Sequence, residues 1–67
     1  MSLHQYVIDL SDYKGDEFDR VFDTLDRWSF TGLKLAKPPK VFTFFLEDDL
    51  DVHQIVNVPK DKIKKIR

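Results

Sequence analysis

The sequence predicts an α+β domain: one amphipathic helix packed on a small antiparallel sheet, in the order β-α-(β)-β-β, with a short basic C-terminal helix. Three observations predict it. Residues 4–10 alternate at period two, with Tyr6, Ile8 and Leu10 on one side and Gln5, Val7 and Asp9 on the other, the pattern of a half-buried strand. From Asp16 the period changes, and Phe18, Val21, Phe22, Leu25 and Trp28 fall in one helical stripe. The run Val41–Glu47 is dense in aromatic and β-branched residues, which suit a pleated, buried surface.

Each element has its own justification. Residues 11–15 form a polar turn ending in Gly15, and Asp16 and Glu17 then occupy the first helical turn, where the helix dipole favours anions. Gly32 is a credible stop, which places the helix near 15–29. Residues 33–36 suit a short strand with Leu33 and Leu35 on one side. The segment Lys37, Pro38, Pro39, Lys40 lacks two backbone donors and reads as a stiff connector. Residues 51–58 read as a second hairpin strand after Val41–Glu47, with residues 48–51 as a four-residue loop, because Asp-Asp fits a two-residue type I′ turn poorly. Pro59 is placed to open a short helix with Ile63 and Ile66 on its apolar side. The division is a single domain over 1–58 and a basic segment over 59–67.

Size and composition exclude several classes. A chain of 67 residues buries only about 60% of its unfolded surface, so its core must be well made or shared. It has no Cys, hence no disulfide and no thiolate zinc site. No secretory leader or membrane span is expected, and the composition suits the cytoplasm. His4 and His53 have no metal-pair spacing, the three Ser residues sit in no nucleophile motif, and two Gly residues make no phosphate-cradling loop. The acid cluster at 47–51 lacks the Gly and the length of a calcium loop. No catalytic residue, metal ligand or cofactor is expected, and the reading is non-enzymatic.

Two features point instead to a macromolecular partner. Eleven of the twelve carboxylates lie between positions 9 and 51, and five of the eleven basic residues fall in the last eight positions. An acidic body thus carries a basic end. Asp16 with Arg20 and Asp23 with Arg27 stand at i, i+4 and compensate each other locally, whereas Asp19 and Asp26 have no such partner. The second feature is a hairpin apolar on both sides. Val41, Phe45, Val52 and Val56 point away from the face a lone helix can cover, and burying one such side chain is worth roughly 1.5–3 kcal/mol. The C-terminal segment, a second copy or a foreign partner should cover them.

These features define the expected sites. Asp19, Asp26, Glu47, Asp48, Asp49 and Asp51 would steer a larger protein partner, and Val41, Phe45, Val52 and Val56 would supply affinity. Lys60, Lys62, Lys64, Lys65 and Arg67 would contact nucleic acid or the protein's own acidic face, but no aromatic interleaves them to stack on bases. The leading expectation is an inhibitor or regulator of nucleic-acid machinery, similar in kind to small phage host-takeover and anti-defence proteins and inclined to form a homodimer. A dimeric nucleic-acid-binding regulator using the tail is the alternative. A third reading rests on a resemblance. Residues 5–32, with Tyr-Val-Ile-Asp-Leu-Ser-Asp before the amphipathic helix, resemble the opening β-α unit of ferredoxin-fold proteins such as Cas2 and its toxin relatives. The resemblance covers under half the chain and implies a metal-dependent nuclease role for Asp9. A hairpin and a basic tail are expected where that family has its second β-α-β half, so the family is not assigned.

Overall fold

A computed structural model describes residues 2–66. The elements are β1 (Leu3–Asp9), α1 (Gly15–Trp28), β2 (Phe30–Lys37), β3 (Val41–Glu47), the one-turn helix α2 (Val52–Ile55), a 3-10 turn (Lys60–Lys62) and β4 (Ile63–Lys65). The sheet runs β2-β3-β1-β4 with every neighbouring pair antiparallel. The parallel strands β1 and β2 therefore flank β3, and the parallel strands β3 and β4 flank β1. Two β-α-β units interleave, the arrangement of a split β-α-β domain. The α+β class stands, and the second β-α-β half is present with its helix reduced to one turn.

The segment 51–58 is not a strand. Asp51 caps α2 by accepting the His53 N–H at 3.0 Å, and Val52, Ile55 and Val56 follow at i, i+3, i+4. This spacing turns Val52 and Val56, 3% and 7% exposed, into the core rather than onto an outer face. The hairpin is instead β2–β3, with residues 38–40 as its turn and a cis Pro38–Pro39 peptide bond. At the C-terminus Pro59 precedes a 3-10 turn, and the chain then adds β4 to the β1 edge. Ile63 is buried in the core while Ile66, three residues on, is half exposed, because a strand sends odd-separated residues to opposite faces.

The core lies between the sheet and the helical layer. Ile8, Leu10, Leu25, Phe44 and Leu46 are fully enclosed, with Val52, Val56, Val58 and Ile63 around them. Phe42 meets Phe18 at 6.2 Å and Phe22 edge-on at 5.3 Å, and Tyr6 stacks on Phe44 at 5.6 Å, all distances between ring centroids. The Phe42 contacts fix α1 over β3, and the Tyr6–Phe44 stack ties β1 to β3 within the sheet. Lys40 closes the near end: its Nζ donates to the Tyr13 carbonyl at 2.6 Å and lies 4.8 Å from the centre of the Phe18 ring. Trp28 departs from the expected apolar stripe. It is 52% exposed, at the end of α1 beside a hollow of about 440 Å³ formed with Asp49, Leu50, Asp51, Gln54 and Ile55.

Candidate binding surface on the open face of the sheet

Strand alternation decides which side chains face away from the helices. Ile8, Phe42, Phe44 and Leu46 point inward, so Leu3, Gln5, Val7 and Asp9 of β1 and Val41, Thr43, Phe45 and Glu47 of β3 point outward. Cross-strand partners share a face. Phe30 and Lys34 of β2 stand opposite Phe45 and Thr43, Lys37 stands opposite Val41, and Lys64 of β4 stands opposite Val7. The Ile66 N–H donates to the Gln5 carbonyl at 2.6 Å, and its alternation from Ile63 sets it on the same outer side. One row, Ile66, Gln5, Phe45 and Phe30, thus crosses all four strands.

This face shows three of the five exposed large apolar side chains of the described residues; Trp28 lies on α1, and Leu35 stands opposite the inward-facing Phe42. Phe30 is 56% exposed, Ile66 50% and Leu3 41%, while α1, α2 and the segment through Val58 pack on the opposite side. The geometry splits the set of residues expected to bind a partner. Val41 and Phe45 lie half-buried on the open face, Val52 and Val56 belong to the core, and Asp19 and Asp26 lie on α1 behind the sheet. Glu47 sits at one corner of the open face, with Asp48 and Asp49 in the turn after it and Asp51 engaged as the α2 cap. No single surface unites the acids with the apolar residues. Leu3, Val7, Phe30, Lys34, Lys37 and Ile66 were not foreseen. The pairing of Phe30 with Phe45 depends on a two-residue bulge in β2, which periodicity does not reveal.

The basic residues divide as well. Lys60 and Lys65 are exposed, Lys64 joins the open face, and Arg67 lies outside the described residues. Lys62 donates to Asp12 Oδ2 at 2.5 Å, and this hydrogen bond and charge raise its pKa above the usual lysine value. The tail thus does lie against the protein's own acids, through one Lys. Asp9, at the end of β1, accepts the Ser11 N–H at 2.9 Å. Hydrogen bonding from Ser11, hydroxyl first and backbone second, holds its carboxyl below the ordinary aspartate value. Asp9 lines a shallow hollow of about 240 Å³ with Val7, Val41, Asp61, Lys62 and Lys64. Among the described residues, no three His, Cys, Asp or Glu side chains converge in a way that would hold a metal ion. The local environment of Asp9 is therefore a turn, two lysines and one further carboxylate, Asp61.

Of the two helix pairs, Asp23 and Arg27 close at 2.9 Å with both ends exposed, and Asp16 and Arg20 form no such contact among the described residues. No described helix is long and apolar enough to cross a membrane. No family model, curated protein or solved structure matches the chain.

Proposed function

We propose that this protein is a small non-enzymatic binding module of the cytoplasm that regulates or inhibits a larger nucleic-acid-processing assembly by laying the open face of its sheet on it. In this reading the protein is similar in kind to small phage anti-defence and host-takeover proteins. One observation carries the reading: the row from Ile66 to Phe30 sets three large apolar side chains around a single Gln5, with Leu3, Val7 and Val41 beside it, and no element among the described residues covers it. Patches of this kind on small domains mark interaction sites. The acids of α1 then act at long range, by orienting the encounter, rather than as part of the contact.

Area argues for a foreign partner over a second copy. Four short strands about 4.8 Å apart, rising about 3.3 Å per residue, present about 400 Å² of sheet face. Two copies face to face would bury about 800 Å² in all, below the roughly 1,200–2,000 Å² of stable specific interfaces. A larger partner can wrap beyond the sheet edges and reach that range. The test is site-directed photo-crosslinking in host lysate, with the probe at Phe45 in one variant and at Asp19 in another. Adducts of defined mass from the Phe45 probe and none from the Asp19 probe are expected. Equal labelling from both faces, or only crosslinked copies of the chain itself, would remove the reading.

A further inference from the structure

The charges sorted along the sequence are also sorted in space. Five acids, Asp16, Glu17, Asp19, Asp23 and Asp26, ride on α1 against Arg20 and Arg27, behind the sheet. On the open face Lys34 and Lys37 line the β2 edge and Lys64 stands on the β4 edge, so cations border the Phe30–Phe45 pair and its aliphatic neighbours on both sides. The face is not purely basic: Asp9 and Glu47 share it, one at each end of the strands. Asp9 already accepts from Ser11 and lies in the field of Lys62. The central rows, Gln5–Phe45–Phe30 and Val7–Thr43–Lys34, carry no acid.

We propose that this open face binds single-stranded nucleic acid, with bases stacked on Phe30 and Phe45 and the phosphates tracked by Lys34, Lys37 and Lys64. The inference deepens the function proposed above, naming the component of the assembly that the face touches. Two physical requirements of such a site meet here. Single strands bind where aromatic faces accept bases in succession and cations follow the backbone. Phe30 and Phe45 are direct cross-strand neighbours, about 5 Å apart at Cβ, close enough for adjacent bases to stack on them in turn. The tail alone lacked any aromatic, and β4 remedies this by carrying Lys64 onto the aromatic face. The α1 acids oppose a polyanion at long range, but they lie on the far side of the sheet, whereas Lys34, Lys37 and Lys64 stand on the binding side and dominate the field at the face. Only unpaired bases can stack on Phe30 and Phe45, which makes the ligand a single strand.

The experiment is fluorescence anisotropy of short labelled oligo-dT and oligo-U with the full chain, at low and at physiological ionic strength. Binding is expected, with a logarithmic salt slope of about −2 from three lysines at about 0.7 per phosphate. Phe30→Ala should weaken it about fivefold or more, the loss of one stacked base, and Phe30→Tyr should restore it. The far-UV circular dichroism of both variants reports that the sheet is intact. The pair Lys34→Gln and Lys37→Gln should flatten the salt slope. Absence of binding at low salt overturns the proposal. So does binding that Phe30→Ala leaves unchanged while the lysine substitutions abolish it, the mark of plain polyanion exchange. If oligonucleotides fail while protein adducts from the Phe45 probe persist, this inference falls and the binding-module reading stands; if both fail, both fall.

Discussion

Asp26 Oδ1 accepts the Leu33 N–H at 3.2 Å, so a carboxylate near the end of α1 holds the start of β2 seven residues downstream. The same oxygen lies 2.6 Å from where a Cβ on Gly32 would stand, and Gly32 has φ +81° beside Thr31 at φ 67°. Asp26, expected as one of the acids that steer a partner, also clamps the bulge that lets Phe30 face Phe45.

The clamp predicts a graded pair of variants. Gly32→Ala meets both a left-handed backbone and the Asp26 carboxylate, and should cost about 1–3 kcal/mol. Asp26→Ala, which removes one exposed hydrogen bond, should cost about 0.5–1.5 kcal/mol. Asp26→Asn keeps an accepting oxygen and should fall below either. Urea unfolding with a shared slope checks the ranking. A Gly32→Ala protein as stable as the parent would remove the steric argument.

The two sides of the sheet should respond oppositely to substitution. Leu46 is fully enclosed, and Leu46→Ala should cost about 2–5 kcal/mol in lost transfer energy and residual cavity. Leu3 and Phe30 are exposed, and Leu3→Ala or Phe30→Ala should stay within about 0.5 kcal/mol. Val41 and Val56 give the sharper contrast, because both were assigned to one outward face. Val56→Asp places an unpaired charge in the core and should abolish the folded state, whereas Val41→Lys leaves its charge in water and should keep it. Thermal melts of the five variants decide it.

What the sequence carried depended on how much of each element's pattern was local. The α1 stripe, the alternation of β1 and the density of Val41–Glu47 each have a single period, and all three elements lie within a residue or so of where that period puts them. Residues 51–58 fail the same reading because four of them are β-branched while their spacing is helical. Val52, Ile55 and Val56 at i, i+3, i+4 behind a capping Asp51 were a helix signal that propensity masked. β4 left no signal, since three residues at a sheet edge are specified by their partner strand rather than by their own pattern. The binding face was half legible for the same reason. Phe45 and Val41 announce themselves in β3, but Phe30, Lys34 and Lys64 reach that face only through a bulge and a long-range pairing.

Trp28 offers a readout of the far end of α1. Standing 52% exposed beside Asp49, Asp51 and Gln54, it should emit at long wavelength and be readily quenched by acrylamide in the native protein. A core Trp, as the helical stripe alone would place it, emits blue-shifted and is protected. Iodide should quench less than acrylamide, because the neighbouring carboxylates repel an anion. Equal quenching by the two would argue against that acidic rim.

The Lys62–Asp12 contact ties the 3-10 turn to the loop after β1 and gives stability a pH dependence at its alkaline end. The folded pKa of Lys62 lies above its ordinary 10.5, first through the hydrogen bond to Asp12 and then through the Asp12 charge. A group raised on folding contributes fully below its unfolded pKa, and that contribution is lost as pH climbs from 10.5 through the folded value. Asp9 works in the opposite window. Its folded pKa lies below 3.8, so its contribution is present above 3.8 and is lost as pH falls through the folded value. Asp12→Asn should therefore return the Lys62 titration towards 10.5. Ser11→Ala should raise the Asp9 titration towards 3.8 and affect only the acid limb. Side-chain NMR titration of the two variants, with melting temperature followed across both windows, separates them. A Lys62 titration that ignores Asp12→Asn would show that the contact does not persist in solution and that β4 is held by its backbone pairing with β1 and the burial of Ile63.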